Sequence, residues 1–320
     1  MLNFASLQSH NHVQKKQYRI MRNVPLLRNR NPSIPYSRGV RALKVCCISS
    51  PCCPQKSEPV TLAASDYVPL GKTYTLSHED GSEFVTVYVS PPPKASSSAI
   101  LVAHDIGGPY TGRHREVCDQ LAKEGYWVAM PDLFQGSMPE ELPPWYGLPL
   151  LIPKALGNIN RPWSSTEPEL RKVIEHLVTE EGVDRIGILG FCYGAFIVFK
   201  VSGEEFSHLH PQVKCGVSMH PSVHNVASFK GEDQWDIVQS VSVPQMILAT
   251  NGEPADWRPG GKTERVLQNK QELPEPRCVF DIFPNRLHGF FTRGDPHKAD
   301  VKKDMDRAFE LTLEFLRQHL

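Results

Sequence analysis

Residues 185–201 read RIGILGFCYGAFIVFKV, an apolar run broken by two glycines placed two residues before and two residues after Cys192. The RIGIL half is nearly all apolar, as a strand buried on both faces of a parallel sheet must be. The AFIVFKV half has the character of a buried helix. A chain that turns from strand to helix within about one residue strains the backbone of that residue. It also brings helix and strand so close that the positions two before and two after can carry no side chain. Gly190 and Gly194 meet this requirement, so Cys192 is expected at the tip of a nucleophile elbow. A bare Gly-x-Cys-x-Gly says little, because most buried cysteines only pack; the strand–turn–helix context carries the assignment.

The flanking sequence repeats the alternation. FVTVYVS and AILVAH, separated by the turn-forming PPPKASSS, read as two strands. Val117, Leu121 and Ala122 share one helical side, Gly125 is placed to terminate that helix, and WVAMP follows as a strand. The stretch 166–181 carries Leu170, Val173, Ile174, Leu177 and Val178 at helical spacing, with Thr166 and Glu169 in a capping-box arrangement. VKCGVSMH, VPQMILAT and RCVFDIF are further strands. A terminal helix carries Val301, Met305, Ala308, Phe309, Thr312 and Leu316 on one side. This order predicts one α/β domain over 61–320 with a mostly parallel central sheet flanked by helices. The Pro- and aromatic-rich excursion 136–165, with Trp145, Tyr146 and Trp163, is a candidate lid or a surface cover.

Charge separates the amino terminus from this body. Residues 1–57 hold ten Lys or Arg and no Asp or Glu, leaving 25 of the 35 basic residues against all 35 acidic ones in the remainder. An acid-free, Arg- and Ser-bearing head without a compact apolar stretch reads as an organellar transit peptide; a disordered basic tail is the alternative. A chloroplast stroma is the expected destination, with mitochondrion or cytoplasm as alternatives. The acidic body argues against nucleic-acid binding. No apolar run approaches the roughly 18 residues of a membrane-spanning helix. Cys46, Cys47, Cys52 and Cys53 fall in the head, where adjacent pairs lack zinc-module spacing. Cys118, Cys192, Cys215 and Cys278 lie on apolar segments of the body.

An elbow calls for an acid at the end of a later strand and a histidine after that. VPQMILATNGEPAD supplies Glu253 and Asp256, and FPNRLHGFF supplies His288 between the last strand and the terminal helix. The body resembles the dienelactone hydrolase family, cysteine-dependent members of the α/β-hydrolase superfamily. The likeness runs from about Val85 to Phe315 through AHDIGG at Ala103, DQLAKEGYWVAMPDLFQG, the elbow GFCYGA and HGFFTRGD at His288.

That resemblance implies an α/β-hydrolase fold and hydrolysis of a small ester or lactone, with no metal or organic cofactor. Cys192 and His288 fall on the nucleophile and histidine motifs. Relatives place the acid nine residues after the proline that opens the strand; from Pro244 this is Glu253, with Asp256 as the alternative. The backbone N–H groups of Ile106 and Tyr193 take the oxyanion positions. Asp105 matches an acidic position near the nucleophile, and Arg293 resembles an arginine that pairs with that acid or with an anionic substrate. A neutral imidazole would take the thiol proton, the thiolate would attack the carbonyl, and water would release a thioester. The partner is a small-molecule substrate, and the chain is expected as a monomer or weak homo-oligomer.

Three other readings stand beside this one. The fold could hold a small ligand with little turnover. Cys192 could serve thiol redox chemistry, which needs a resolving cysteine, and the body has no Cys-x-x-Cys pair. His208, His210, Cys215, His220 and His224 could suggest a metal, but their spread over a loop and a strand lacks a zinc spacing.

Overall fold

The apolar runs pair edge to edge because each buries both faces and needs its backbone groups satisfied within the sheet. The computed structural model describes residues 53, 54, 57, 58, 67–77, 81, 83–139 and 151–320, all within one unit, Lys44–Leu320. The head over 1–57 therefore lies outside the described residues apart from Cys53, Pro54 and Ser57, as do Trp145 and Tyr146 of the 136–165 excursion.

The strands are β1 Lys72–Ser77, β2 Glu83–Ser90, β3 Ser98–Ala103, β4 Trp127–Pro131, β5 Arg185–Phe191, β6 Val213–Met219, β7 Gln245–Thr250 and β8 Cys278–Phe283. They form one sheet in the order β1-β2-β4-β3-β5-β6-β7-β8. β1, β2 and β4 pair antiparallel, and every other pairing is parallel. The mostly parallel α/β sheet expected from the sequence is thus present. β1 was not foreseen: KTYTLS is polar and mostly exposed, and it is a strand because it borders β2.

The helices are α1 His114–Lys123, α2 Leu151–Ile159, α3 Trp163–Thr179, α4 Tyr193–Val201, α5 Glu204–Leu209, α6 Val223–Lys230, α7 Gln234–Gln239, α8 Lys262–Gln268, α9 Phe290–Arg293 and α10 Ala299–His319. Side chains of β3 alternate between the two faces. Ile100 and Val102 join a core with Val117 and Leu121 of α1 and Met305 and Leu316 of α10. Ala99, Leu101 and Ala103 join a second core with Leu170 and Ile174 of α3 and Phe196 and Phe199 of α4. Each such fully buried aliphatic or aromatic side chain contributes about 1.5–3 kcal/mol. Among the described residues no helix is long and apolar enough to cross a membrane.

The capping box expected at Thr166 and Glu169 does not form. Helix α3 begins three residues earlier, behind an extended Pro162 with no side-chain cap. The Thr166 hydroxyl donates back to the Pro162 carbonyl. Glu169 is drawn instead to Arg161 Nη2 at 2.8 Å and Gln135 Nε2 at 2.6 Å, a buried pairing that outcompetes a cap at the helix entry.

Asp119 of α1 organises the approach to the sheet. Its carboxylate accepts from the hydroxyls of Tyr67, Tyr88 and Ser90 and from the backbone N–H groups of Leu70 and Gly71. Burial pushes its pKa up, but these hydrogen bonds, Tyr67's foremost, outweigh burial and hold the carboxyl below the usual range. Its stabilising contribution is therefore complete above the unfolded-state pKa of about 3.9 and is lost as pH falls through the lower folded value. Asp119→Ala is expected to cost about 2–4 kcal/mol in urea unfolding at neutral pH, since the hydroxyls of Tyr67, Tyr88 and Ser90 and the Leu70 N–H lose their acceptor. The melting temperature of the wild type should also fall more steeply than that of Asp119→Asn below about pH 4.

Candidate active site

The elbow forms where β5 hands over to α4. Cys192 has φ 53° and ψ −108°, outside the ordinary helical and extended regions. A Cβ on Gly190 would stand 2.3 Å from the Gly194 carbonyl oxygen, and one on Gly194 would stand 2.1 Å from that of Ala103. Both positions must be glycine for the helix to enter this close to β3 and β5. The strained residue is held on both sides: its N–H donates to the Met219 carbonyl at 3.1 Å, and its carbonyl accepts from Ser222 N–H at 3.1 Å. Its sulfur lies 3.4 Å from the Ser222 hydroxyl. A backbone of this kind costs of order 1–3 kcal/mol and persists only where its surroundings enforce it.

Parallel pairing of β7 with β8, Thr250 opposite Phe283, puts the carboxyl ends of the two strands side by side. Glu253 follows β7 and His288 follows β8. The His288 Nδ1–H donates to Glu253 Oε1 at 2.6 Å, and Glu253 Oε2 accepts from the Thr250 N–H. Asp256, the alternative acid, sits exposed on the helical turn Ala255–Trp257. With Nδ1 engaged by Glu253, Nε2 is the nitrogen left for Cys192; the ligand atoms of His288, Cys192 and Cys53 all lie within 4.8 Å of one another. Burial pulls the His288 pKa down. The charge of the Cys192 sulfur, together with the interactions with Cys192, Cys53 and Glu253, overcomes this and holds the imidazole well above the ordinary histidine range.

Asp105 and Arg293 form a second buried pair beside this group. Asp105 follows β3; its Oδ1 accepts from Gly107 N–H at 2.8 Å, and its Oδ2 lies 3.2 Å from Arg293 Nε and 3.8 Å from His114 Nε2. Gly289, at φ 87°, lets the guanidinium pass, since a Cβ there would meet Arg293 Nη2 at 2.5 Å. Burial opposes the guanidinium charge, but Asp105 first, then the sulfurs of Cys53 and Cys192, hold Arg293 firmly cationic. Of the expected oxyanion residues, Ile106 is buried just past Asp105, and Tyr193 opens α4 at the elbow. The contact of Gly194 with the Ala103 and His104 carbonyls brings these two backbone segments together.

Residues that sequence reasoning missed also converge here. Cys53 Sγ lies 3.6 Å from Cys192 Sγ. Ser57 pairs in parallel with His288, and Glu58 N–H donates to the His288 carbonyl at 2.8 Å. These positions lie in or beside the stretch that charge assigned to the head, and charge pattern carries no signal of their placement. His220, buried at φ 40°, stacks edge-on to His288 with ring centroids 4.9 Å apart. Burial and the neighbouring His288 charge push its pKa well down. His224 is pushed down to about 4, chiefly by burial. Among the described residues the one His, Cys, Asp or Glu group close enough to share an ion is Cys53, Cys192 and His288, not the histidines around Cys215. A cavity of about 470 Å³ lined by Trp163, Glu167, Lys200 and Glu232 contains none of these residues.

The arrangement matches known proteins in sequence and in fold. The model of the dienelactone hydrolase family matches residues 85–320. The chain is 27% identical over 254 residues to hydrolase tropI of Talaromyces stipitatus, covering 77% of this chain and 90% of that protein. It is 29% identical over 263 residues to the carboxymethylenebutenolidase homolog of Rattus norvegicus, covering 80% and 94%. A crystal structure of a putative dienelactone hydrolase from Klebsiella pneumoniae superimposes with a TM-score of 0.56 at 18% identity, over 78% of this chain and 99% of that one. The chain belongs to the dienelactone hydrolase family and is a hydrolase of the carboxylic-ester and lactone type.

Proposed function

We propose that the protein hydrolyses a small ester or lactone through a Cys192–His288–Glu253 triad and a thioester intermediate. The observation that carries this reading is the 2.6 Å contact of His288 Nδ1 with Glu253, together with the elbow sulfur within 4.8 Å of a His288 ring nitrogen. Glu253 fixes the ring orientation and the tautomer and stabilises the imidazolium. With Nδ1 given to Glu253, Nε2 is the nitrogen that takes the Cys192 proton as the sulfur attacks. Attack on the carbonyl places negative charge on its oxygen, where the N–H groups of Ile106 and Tyr193 are the assigned donors; fixed dipoles need no reorganisation as that charge appears. The imidazolium then protonates the leaving oxygen, and the resulting neutral ring activates the water that cleaves the thioester.

In this reading Asp105 and Arg293 position the nucleophile. The guanidinium faces both sulfurs, and the carboxylate keeps it from being an uncompensated buried cation.

Two sets of variants test the proposal. With an activated ester, Cys192→Ala is expected to lose at least about 10³-fold in kcat, and Glu253→Gln about 10²–10⁴-fold. Asp256→Asn should leave the rate within about twofold. Turnover unchanged in Cys192→Ala sinks the mechanism, and a loss in Asp256→Asn with none in Glu253→Gln reassigns the acid. Asp105→Ala should cost about 3–5 kcal/mol in chemical denaturation because it leaves Arg293 buried without its carboxylate. Asp256→Ala, on the surface, should stay within about 0.5 kcal/mol.

A further inference from the structure

Cys53 takes no part in the hydrolytic reading, yet it is held against the nucleophile. Its sulfur lies 3.6 Å from that of Cys192 and packs against the core on the α4 side of the sheet. The chain on its carboxyl side is fixed by backbone: Ser57 pairs with His288, and Glu58 N–H donates to the His288 carbonyl. The Ser57 hydroxyl donates to the Pro54 carbonyl at 2.7 Å. A Cβ on Gly252 would stand 3.6 Å from the Pro54 ring, so that ring lies over the turn between β7 and Glu253.

The thiolate is the form of a thiol that reacts with oxidants, and a cation beside the sulfur stabilises the charge that develops as it reacts. The buried Arg293 guanidinium faces Cys53 and Cys192, and His288 stands within 4.8 Å of both. The other body cysteines differ. Burial pushes the Cys118 and Cys215 thiols far up, and burial with the nearby Glu264 pushes Cys278 up to about 12. Two thiols and one imidazole could also attract a metal ion, but a buried guanidinium against the same sulfurs opposes an added cation. It favours anionic sulfur chemistry instead.

We propose that Cys53 and Cys192 are the two halves of a reversible intramolecular disulfide that forms on exposure to a hydroperoxide and withdraws the nucleophile. The Cys192 thiolate attacks one peroxide oxygen. The O–O bond breaks, and the departing hydroxide takes the His288 proton and leaves as water. Cys192 is now a sulfenic acid. The Cys53 sulfur attacks the Cys192 sulfur, the S–O bond breaks, and hydroxide leaves with the Cys53 proton as a second water. Two thiols have given up two electrons and two protons, and one hydrogen peroxide has become two waters. Closing the gap to the disulfide length of about 2.05 Å requires the sulfurs to approach by about 1.5 Å, within reach of a side-chain rotation. A dithiol reverses the bond. Because Cys53 traps the sulfenic acid, Cys192 is kept from the irreversible sulfinic and sulfonic states.

The test treats the full-length chain with a few equivalents of hydrogen peroxide, then blocks remaining thiols and maps linked peptides by tandem mass spectrometry. A Cys53–Cys192 link is expected in the wild type and in Cys52→Ser, and is expected to be absent in Cys53→Ser, where Cys192 should progress to sulfinic acid. Hydrolysis of an activated ester should fall roughly tenfold or more on oxidation and return with dithiothreitol in the wild type, but not return in Cys53→Ser. Each rate is read against the same protein before treatment. The activity arm rests on Cys192 being the nucleophile, whereas the peptide link does not, so the two readings fail separately. A Cys192 link to Cys52 overturns the assignment. Sulfinic acid appearing as fast in the wild type as in Cys53→Ser, with no link formed, overturns the proposal.

Discussion

The carbonyl oxygen of Ala103 lies 2.1 Å from where a Cβ on Gly194 would stand, and the carbonyl of Gly194 lies 2.3 Å from where one on Gly190 would stand. That close packing of the α4 entrance on β3 and β5 sets the rest of the site. It drives Cys192 into its positive-φ turn, with hydrogen bonds from the Ser222 N–H and to the Met219 carbonyl fixing it from the β6 side. The same proximity brings the start of α4 beside the loop that follows β3. The strained Cys192 turn, the neighbouring backbone of Ile106 and Tyr193, and the place of Asp105 are therefore consequences of one steric fact.

Charge in the buried site is arranged as interlocking partners. Glu253 meets His288, Asp105 meets Arg293, and the sulfurs of Cys53 and Cys192 interact with both His288 and Arg293. Isolated buried ions would be expensive, but here each cation has a carboxylate at contact distance and a sulfur beyond it. Gly289 makes room for the guanidinium, so a glycine whose position in the sequence suggested only a motif also has a packing role. Family membership and fold agree with hydrolytic chemistry, and the Cys53 sulfur stands 3.6 Å from that of Cys192 at the elbow.

Tertiary context overrode local signals where a buried partner was available. Thr166 and Glu169 have capping-box spacing, yet Glu169 serves Arg161 and Gln135, because a buried carboxylate without a cationic partner costs more than a helix entry left uncapped. KTYTLS carries only Tyr74 and Leu76 as a short alternation and stays mostly exposed, and its strand exists because β2 offers an unpaired edge. His220 reads as a strand-end residue, and only the fold reveals that its ring touches His288.

The elbow, the strand–helix alternation and the strand-end positions of Glu253 and His288 were legible in the sequence because each rests on a pattern within a few residues. Glycine spacing, apolar periodicity and strand-end position are local properties of the chain. Between Glu253 and Asp256, spacing favoured the first, and the tertiary structure put the first on His288 and left the second exposed on the following turn. Cys53 could not be foreseen at all. It lies 139 residues from Cys192 in a stretch whose composition suggested only a basic head, and it meets the site because the strand-like pairing of Ser57 with His288 brings it there. Contacts between segments so far apart follow from how layers pack, which no local pattern of residues encodes.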